Sequence, residues 1–284
     1  MTVIDVLTVV RREDASRYYK NLAAYPELHV QIVSSQNDAA AALADQNKHI
    51  DILVIDSQLG SVFDFINELR ITYPRLLIVL VDEAADFALP GEADEISTDP
   101  FTNEDLLRRI TRLMSDRKLE TLRADSLPAV REFAKHLRRA SGESGKQQAA
   151  VTACMDLGYY YVAFYRLEEV EPLALTLRAQ EGPASIKAAA PRRADAGDLV
   201  TWVAQNGQSR IAGLNDDPSQ PSLALIRRGL LGAAACVPVV FSGNRYGVLV
   251  ACREQAGSIT QENVLMLELV SAQLAAAISK EIIG

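Results

Sequence analysis

Short apolar runs separated by segments with helical spacing organise the first 115 residues. The third run, residues 50–56 (IDILVID), and the fourth, residues 76–82 (LLIVLVD), are almost continuously apolar. Such runs are typical of strands that helices cover on both faces. Strands that alternate with helices predict an α/β fold with a doubly wound, parallel, five-stranded sheet. The five predicted strands cover residues 3–10, 28–34, 50–56, 76–82 and 93–98.

Asp56 ends the third predicted strand. In a doubly wound sheet, functional groups lie at the carboxyl ends of the strands. A carboxylate at such an end meets solvent where loops converge, and it can accept a phosphoryl group. Asp56 is therefore the candidate phosphoacceptor of this half of the chain.

Residues 1–115 resemble the receiver domain of two-component response regulators. The resemblance implies an acidic pair after the first strand, an acceptor Asp after the third, a Ser or Thr after the fourth and a Lys-Pro pair after the fifth. Asp56 falls on the acceptor position, and residues 93–101 (ADEISTDPF) fall on the stretch that ends Lys-Pro-Phe in the family. The separation of Arg11 from Asp56 matches that of the family's acidic pair from its acceptor.

The other family positions are occupied by different residues. Arg11 and Arg12 stand at the acidic pair, Val81 at the hydroxyl and Asp99 at the lysine. Phosphoryl transfer needs Mg²⁺ to neutralise charge, and Mg²⁺ requires carboxylates rather than guanidinium groups. We therefore predict a pseudo-receiver without a metal, in which Arg11 or Arg12 forms an ion pair with Asp56 or Asp99. A conventional response regulator phosphorylated at Asp56 is the alternative.

The second half of the chain has the rhythm of an α+β fold with an antiparallel sheet. A long helix and a helical linker, residues 116–142, join it to the first half, and its own first helix could begin near residue 126. Residues 143–284 resemble a GAF domain. The resemblance rests on QNGQSRIAGLNDDP, on the hairpin LLGAAACVPVVFSGNRYGVLVACRE and on the final helix TQENVLMLELVSAQLAAAI.

GAF domains bind a small molecule between the sheet and its covering loops, or they serve as dimerising modules. The resemblance therefore implies a pocket, for which aromatic and apolar strand residues are candidates. The candidates are Tyr161, Phe164, Trp202, Ile211 and Cys236. No cofactor is expected, since no attachment site or ligand signature for one is recognisable.

Three cysteines, Cys154, Cys236 and Cys252, lie in apolar surroundings. Their spacing fits neither a disulfide framework nor a metal cluster. We interpret them as buried free thiols in a reducing cytoplasm. A GAF-fold enzyme with redox-active cysteines is the third functional alternative, although no two cysteines are close in sequence.

Net charge and hydropathy exclude several partners. The net charge of −8 and the pI of about 5.1 argue against a nucleic-acid partner. No run approaches about 18 consecutive apolar residues, so no membrane span is expected.

The final helix is apolar on nearly all sides, so we expect it to pack on its own sheet and on a second subunit. The inward stripe would be Val264, Leu267, Leu274 and Ile278, and the stripe facing the second subunit would be Leu265, Met266, Leu269 and Ala276.

These patterns together predict a cytoplasmic, homodimeric signal-transduction protein that is not an enzyme. A phosphorylation-independent pseudo-receiver would be coupled to a GAF sensor or dimerisation module. No output domain is recognisable, so the signal would pass through contact with a signalling partner that the sequence does not identify. The homodimer would form through the GAF and linker helices.

Overall fold

The computed structural model describes residues 3–45, 50–84, 93–124, 128–214, 216 and 221–283, without the side chains of residues 118–124 and 283. The chain divides into two compact units, residues 1–120 and residues 121–284. Each unit has its own sheet and its own core.

The first unit contains a parallel sheet of five strands in the order β2-β1-β3-β4-β5. This confirms the doubly wound α/β fold that the sequence predicted. The strands are β1 (Ile4–Val9), β2 (Leu28–Val33), β3 (Ile52–Asp56), β4 (Leu77–Val81) and β5 (Glu95–Ser97). The helices are α1 (Ala15–Leu22), α2 (Gln36–Ala44), α3 (Val62–Thr72) and α4 (Asp105–Ala124).

The apolar composition of the strands explains why the sheet is buried in the middle of the unit. Every residue of β3 is buried, because helices cover both of its faces. One core cluster brings together strand residues such as Val54 and Val79 with Tyr18 and Leu22 of α1 and Ile110 of α4.

Two helix starts differ from the sequence predictions. In the sequence, Asp38 is a plausible N-cap of the second predicted helix. In the structure the cap of α2 is Ser35, whose hydroxyl accepts a hydrogen bond from the amide of Asp38. The spacing of Thr102 and Asp105 predicts a capping box, but the Asp105 carboxylate accepts hydrogen bonds from Ser97 on β5 and from Arg109, one turn along α4. Residues 83–92 (EAADFALPGE) are too short for a full helix with Pro90 among them, and this segment lies mostly outside the described residues.

The second unit contains an antiparallel sheet in the order β7-β6-β10-β9-β8. This confirms the predicted α+β architecture. The strands are β6 (Tyr161–Val170), β7 (Leu173–Glu181), β8 (Arg210–Gly213), β9 (Ala233–Phe241) and β10 (Asn244–Arg253). The helices are α5 (Pro128–Arg139), α6 (Gly142–Met155), α7 (Ala184–Ala189), α8 (Leu199–Asn206), α9 (Ala224–Arg227) and α10 (Gln261–Ile283).

Helices α5, α6 and α10 cover one face of this sheet and enclose the main core of the unit. The predicted inward stripe of α10 is confirmed. Its four residues are at most 1% exposed and belong to the core cluster.

The stripe assigned to a second subunit is largely covered by the chain itself. Leu269 is only 3% exposed and packs with Val130 of α5, and Leu265 and Met266 lie against the same pair. The prediction that Leu269 is exposed is therefore wrong, because α5 packs on α10 as part of the same unit instead of forming a separate linker.

By length and composition alone, Gln261–Ile282 is the one described helix that could cross a membrane. Half of its apolar window is buried inside the second unit. A core helix meets the same criterion, and the packing of α10 on β9 is of that kind.

Candidate functional site

The ends of the parallel strands, with the loops that follow them, form what we call the carboxyl edge of the first unit. Asp56 is the last residue of β3 and lies in register with Val81, the last residue of β4. Val81 in turn pairs with Ser97 at the end of β5. The acceptor and hydroxyl positions are therefore neighbours, and Val81 is fully buried.

Tyr18 of α1 covers the carboxylate of Asp56. The tyrosine hydroxyl donates a hydrogen bond of 2.8 Å to Oδ2, and the amide of Gln58 donates one of 2.9 Å to Oδ1. Asp56 is 6% exposed and Tyr18 is 1% exposed. Burial and the hydrogen bond to Asp56 raise the pKa of the Tyr18 hydroxyl well above its ordinary value, so the hydroxyl stays protonated and remains a donor.

The structure describes Arg11, Arg12, Asp56 and Asp99, and the ion pair expected between either arginine and either aspartate is not present among them, so this prediction is wrong. Arg11 lies in the turn before α1 and pairs there with Glu13 at 3.0 Å and Asp14 at 2.9 Å. Arg12 and Asp99 are exposed.

Arg11 pairs with the carboxylates of its own turn. The hydrogen bond to Asp56 that we expected from an arginine comes instead from the hydroxyl of Tyr18. No sequence pattern points to Tyr18, because its role depends on how α1 lies on the sheet.

Arg17, the neighbour of Tyr18 on α1, also reaches the carboxyl edge. Its guanidinium carbon lies 3.7 Å from the centre of the Phe101 ring, and its Nη1 lies 3.5 Å from a carboxylate oxygen of Glu83. The rings of Tyr18 and Phe101 meet edge to face at 4.9 Å. Sequence analysis missed these residues.

A Mg²⁺ ion does not fit this edge. The residues at the acidic-pair positions are cationic, and each oxygen of Asp56 already accepts a hydrogen bond, one from Tyr18 and one from Gln58. Within the described ranges, no group of three or more His, Cys, Asp or Glu side chains could hold a metal ion.

A separate groove of about 460 Å³ lies where the loops after β2 and β3 meet. Gln36 bridges these loops through a 2.8 Å hydrogen bond to the carbonyl of Gly60. None of the residues that line the groove is charged, and they belong to residues 34–37 and 59–61.

In the second unit, the sheet face opposite α5, α6 and α10 carries the polar side chains; we call it the outer face. Cys236 of β9 lies opposite Arg210 of β8 and Val250 of β10. Cys252, two residues further along β10, lies opposite Tyr161 of β6. Directly opposed residues share one face of a sheet, so these side chains lie together.

Helix α8 packs over this face and brings two further residues to it. The guanidinium carbon of Arg210, a residue that is 1% exposed, lies 4.8 Å from the centre of the Trp202 ring. Asp198 caps α8 by accepting the amide of Val200 at 3.0 Å. Burial raises the pKa of the Asp198 carboxyl above its ordinary value, although the capping bond and Arg227, 3.9 Å away, oppose the shift.

Two of the five predicted pocket residues lie on the other side of the sheet. Tyr161, Trp202 and Cys236 belong to the outer face or to its cover, whereas Phe164 and Ile211 pack into the core beneath the helices. The assignment of Phe164 and Ile211 to a pocket is wrong because side chains alternate along a strand. Tyr165 and Asp198, rather than Phe164 and Ile211, join Tyr161 around a cavity on the outer face.

That space is small. Tyr161, Tyr165, Asp198 and Leu223 surround a cavity of about 10 Å³, close to the smallest volume that holds one water molecule. The tyrosine hydroxyls already have partners, since Tyr161 donates to Gln180 and Tyr165 to the carbonyl of Pro191. Among the described residues, the part of the outer face around this cavity is therefore filled by its own side chains.

Comparison with protein families identifies this second unit. The model of the GAF domain matches residues 147–279, which include most of α6, the whole antiparallel sheet and most of α10. Residues 147–279 form a GAF domain. No curated protein matches the chain.

Several solved structures resemble the GAF domain. The GAF domain of a phosphoenolpyruvate-protein phosphotransferase from Acinetobacter is 18% identical, with 55% of this chain and 93% of that chain covered and a TM-score of 0.45. A free methionine-R-sulfoxide reductase from Neisseria meningitidis is 16% identical, with 54% and 88% covered and a TM-score of 0.47. A putative GAF sensor protein from Burkholderia vietnamiensis is 12% identical, with 55% and 94% covered and a TM-score of 0.46.

The cysteines of the GAF domain are buried free thiols, as the sequence predicted. Burial raises the pKa of Cys154 to about 12, and it raises the pKa values of Cys236 and Cys252 well above the ordinary value of a thiol. The thiolate is the reactive form, so these thiols are poor nucleophiles at neutral pH. Cys236 and Cys252 share one face, but their environment does not activate them.

Proposed function

We propose that this chain is a signal-transduction protein in which a receiver-like unit that does not accept phosphate is joined to a GAF domain. The GAF domain supports a signalling or sensory role. In this proposal, the protein works in the cytoplasm through contacts with a signalling partner and not through catalysis. The high pKa values of the three thiols argue against the alternative of a cysteine redox enzyme.

The strand order of the first unit supports its kinship to receivers. The order β2-β1-β3-β4-β5 is one of the two common doubly wound arrangements, and functional groups lie at its carboxyl edge. Asp56 occupies that edge at the end of β3.

The observation that carries the proposal is the enclosure of Asp56. A phosphoryl donor must reach a carboxylate oxygen, and a Mg²⁺ ion must bind beside it. Tyr18 and Gln58 occupy the two oxygens, while Arg11 and Arg12 stand where carboxylates would bind the metal. The first unit would thus retain the receiver fold without its phosphoryl chemistry.

Incubation with acetyl phosphate and Mg²⁺ tests this proposal. We expect the mass of the intact chain to stay unchanged, while a conventional receiver treated in parallel gains one phosphoryl group. Asp56→Asn provides the control for the site of any modification. A stoichiometric phosphoryl adduct that Asp56→Asn abolishes would show that Asp56 is a working acceptor.

The proposal includes a homodimer and a small-molecule ligand of the GAF domain. The dimer interface would use helix surfaces other than the stripe that α5 covers. A ligand would have to displace residues around the 10 Å³ cavity, and Asp198 would favour a ligand that donates hydrogen bonds. Native mass spectrometry of the full chain would reveal the oligomer and any bound molecule together.

A further inference from the structure

Two adjacent residues of α1 contact the segments at the ends of three different strands. Tyr18 binds Asp56 at the end of β3, and Arg17 pairs with Glu83, two residues after β4. Both residues contact Phe101, which follows β5. One turn of α1 thus links the segments that follow β3, β4 and β5.

The contacts differ in strength. The bond from Tyr18 to Asp56 is 2.8 Å long and buried, so solvent cannot readily replace it. Arg17 is 58% exposed, and its pair with Glu83 at 3.5 Å is a weak surface contact. Its guanidinium over the ring of Phe101 adds a cation–π contact that holds the loop after β5.

We infer that Arg17 and Tyr18 form a clasp that holds the ends of β3, β4 and β5 in one arrangement and keeps Asp56 closed to solvent. This inference extends the proposed function, because it names what fixes the edge that phosphoryl chemistry would otherwise control. Its geometry does not depend on the kinship to receivers.

The clasp makes the carboxyl edge sensitive to the position of α1. Neighbouring residues of a helix project about 100° apart, so Arg17 and Tyr18 keep their different partners only while α1 holds its place on the sheet. A displacement of α1 would break the contacts together and uncover Asp56. Any partner that binds α1 would therefore act on the whole edge.

Hydrogen–deuterium exchange of the full chain tests the clasp. In Tyr18→Phe, we expect amides of residues 57–61, 82–84 and 98–104 to exchange about tenfold faster or more, as expected for the loss of a hydrogen bond to a charged group. Tyr19→Phe is the matched control, because Tyr19 is 54% exposed on the same helix. It should leave all three segments unchanged.

A second variant separates the two residues of the clasp. Arg17→Met keeps an apolar stem of similar reach but removes the cation. We expect faster exchange at residues 82–84 and 98–104, with residues 57–61 unaffected. Since Arg17 is exposed, this variant should fold even if Tyr18→Phe does not.

Two results would overturn the clasp. One is faster amide exchange in Tyr18→Phe at residues 57–61 alone, and the other is amide exchange in Arg17→Met that equals the wild type at every residue. Neither experiment uses a phosphoryl donor. Phosphorylation of Asp56 would therefore overturn the proposed function without touching the exchange result. Failure of the clasp would leave Arg11 and Arg12 as the reason that phosphorylation is absent.

Discussion

Asp198 shows how one buried carboxylate is held at a cost. The residue is 3% exposed, and its main compensation is the hydrogen bond from the amide of Val200 at the start of α8. An N-cap of this type stabilises a helix by about 1 kcal/mol. Burial nevertheless raises its pKa, which means that the charged form is less stable in the folded chain than in the unfolded chain.

Asp198→Asn should keep the cap and remove the charge. A raised folded-state pKa means that stability is fully present below the unfolded pKa, about 4, and is lost as pH rises through the folded value. We expect the variant to have a higher free energy of unfolding than the wild type at pH 7, where the wild-type carboxyl is charged, and to gain nothing below about pH 4. Urea titrations across this range would measure the difference.

Asp195→Asn is the matched control, since Asp195 is exposed three residues earlier. Its charge contributes less than burial to the raised pKa of Asp198, so Asp195→Asn should show a much smaller gain at pH 7 than Asp198→Asn. Equal destabilisation of Asp198→Asn at pH 4 and pH 7 would contradict the assignment and show that packing, not charge, decides the effect.

Strand β10 illustrates a backbone requirement at the element scale. The pairing of β10 with β9 shifts register between Arg245 and Gly247, and Gly247 has a φ of 154°. A Cβ atom there would overlap the carbonyl oxygen of Tyr165 on β6. Glycine at this position therefore allows β10 to lie close to β6.

Gly247→Ala should disrupt the pairing of β10 with β6 and reduce the free energy of unfolding by about 3 kcal/mol or more, because the clash is with backbone and not with a side chain. Gly243→Ala serves as the control. Gly243 also has a positive φ, 79°, but nothing lies within 4 Å of its added Cβ, so its loss should be about 1 kcal/mol. Equal losses in chemical denaturation would mean that the φ angle alone matters.

At the scale of the whole molecule, the packing of α5 on α10 determines which residues of α10 are available to a second subunit. Helix α5 covers Leu269, so this residue belongs to the core of the second unit and not to an open surface. The same contact explains why a helix apolar on several sides needs no second subunit along this stripe. Self-association, if it follows the proposal, must use other surfaces.

Leu269→Asp should lower the free energy of unfolding by about 3–5 kcal/mol, since it places an unpaired charge where 3% of the residue is exposed. Ala272→Asp on the exposed side of α10 should change it by less than about 0.5 kcal/mol. Denaturation followed by circular dichroism would measure both. Wild-type stability of Leu269→Asp combined with a smaller sedimenting species would instead place a subunit interface at this residue.

The sequence by itself determined the two sheets and their classes. Runs in which apolar residues alternate with polar ones, or in which every residue is apolar, specify strands. Segments with helical spacing specify the helices between them. Alternation of the two predicts a parallel sheet, which the first unit contains. Residue identity was also enough to show that Arg11, Arg12, Val81 and Asp99 depart from the receiver pattern.

Only the tertiary structure decided which side chains meet. The partner of Asp56 is Tyr18, 38 positions away, and no local pattern encodes that distance. The side of the sheet on which Phe164 lies and the cover over Leu269 depend likewise on how elements pack. Local periodicity gives each element an apolar face, but burial against a distant element determines which polar groups are enclosed with it and which stay in water.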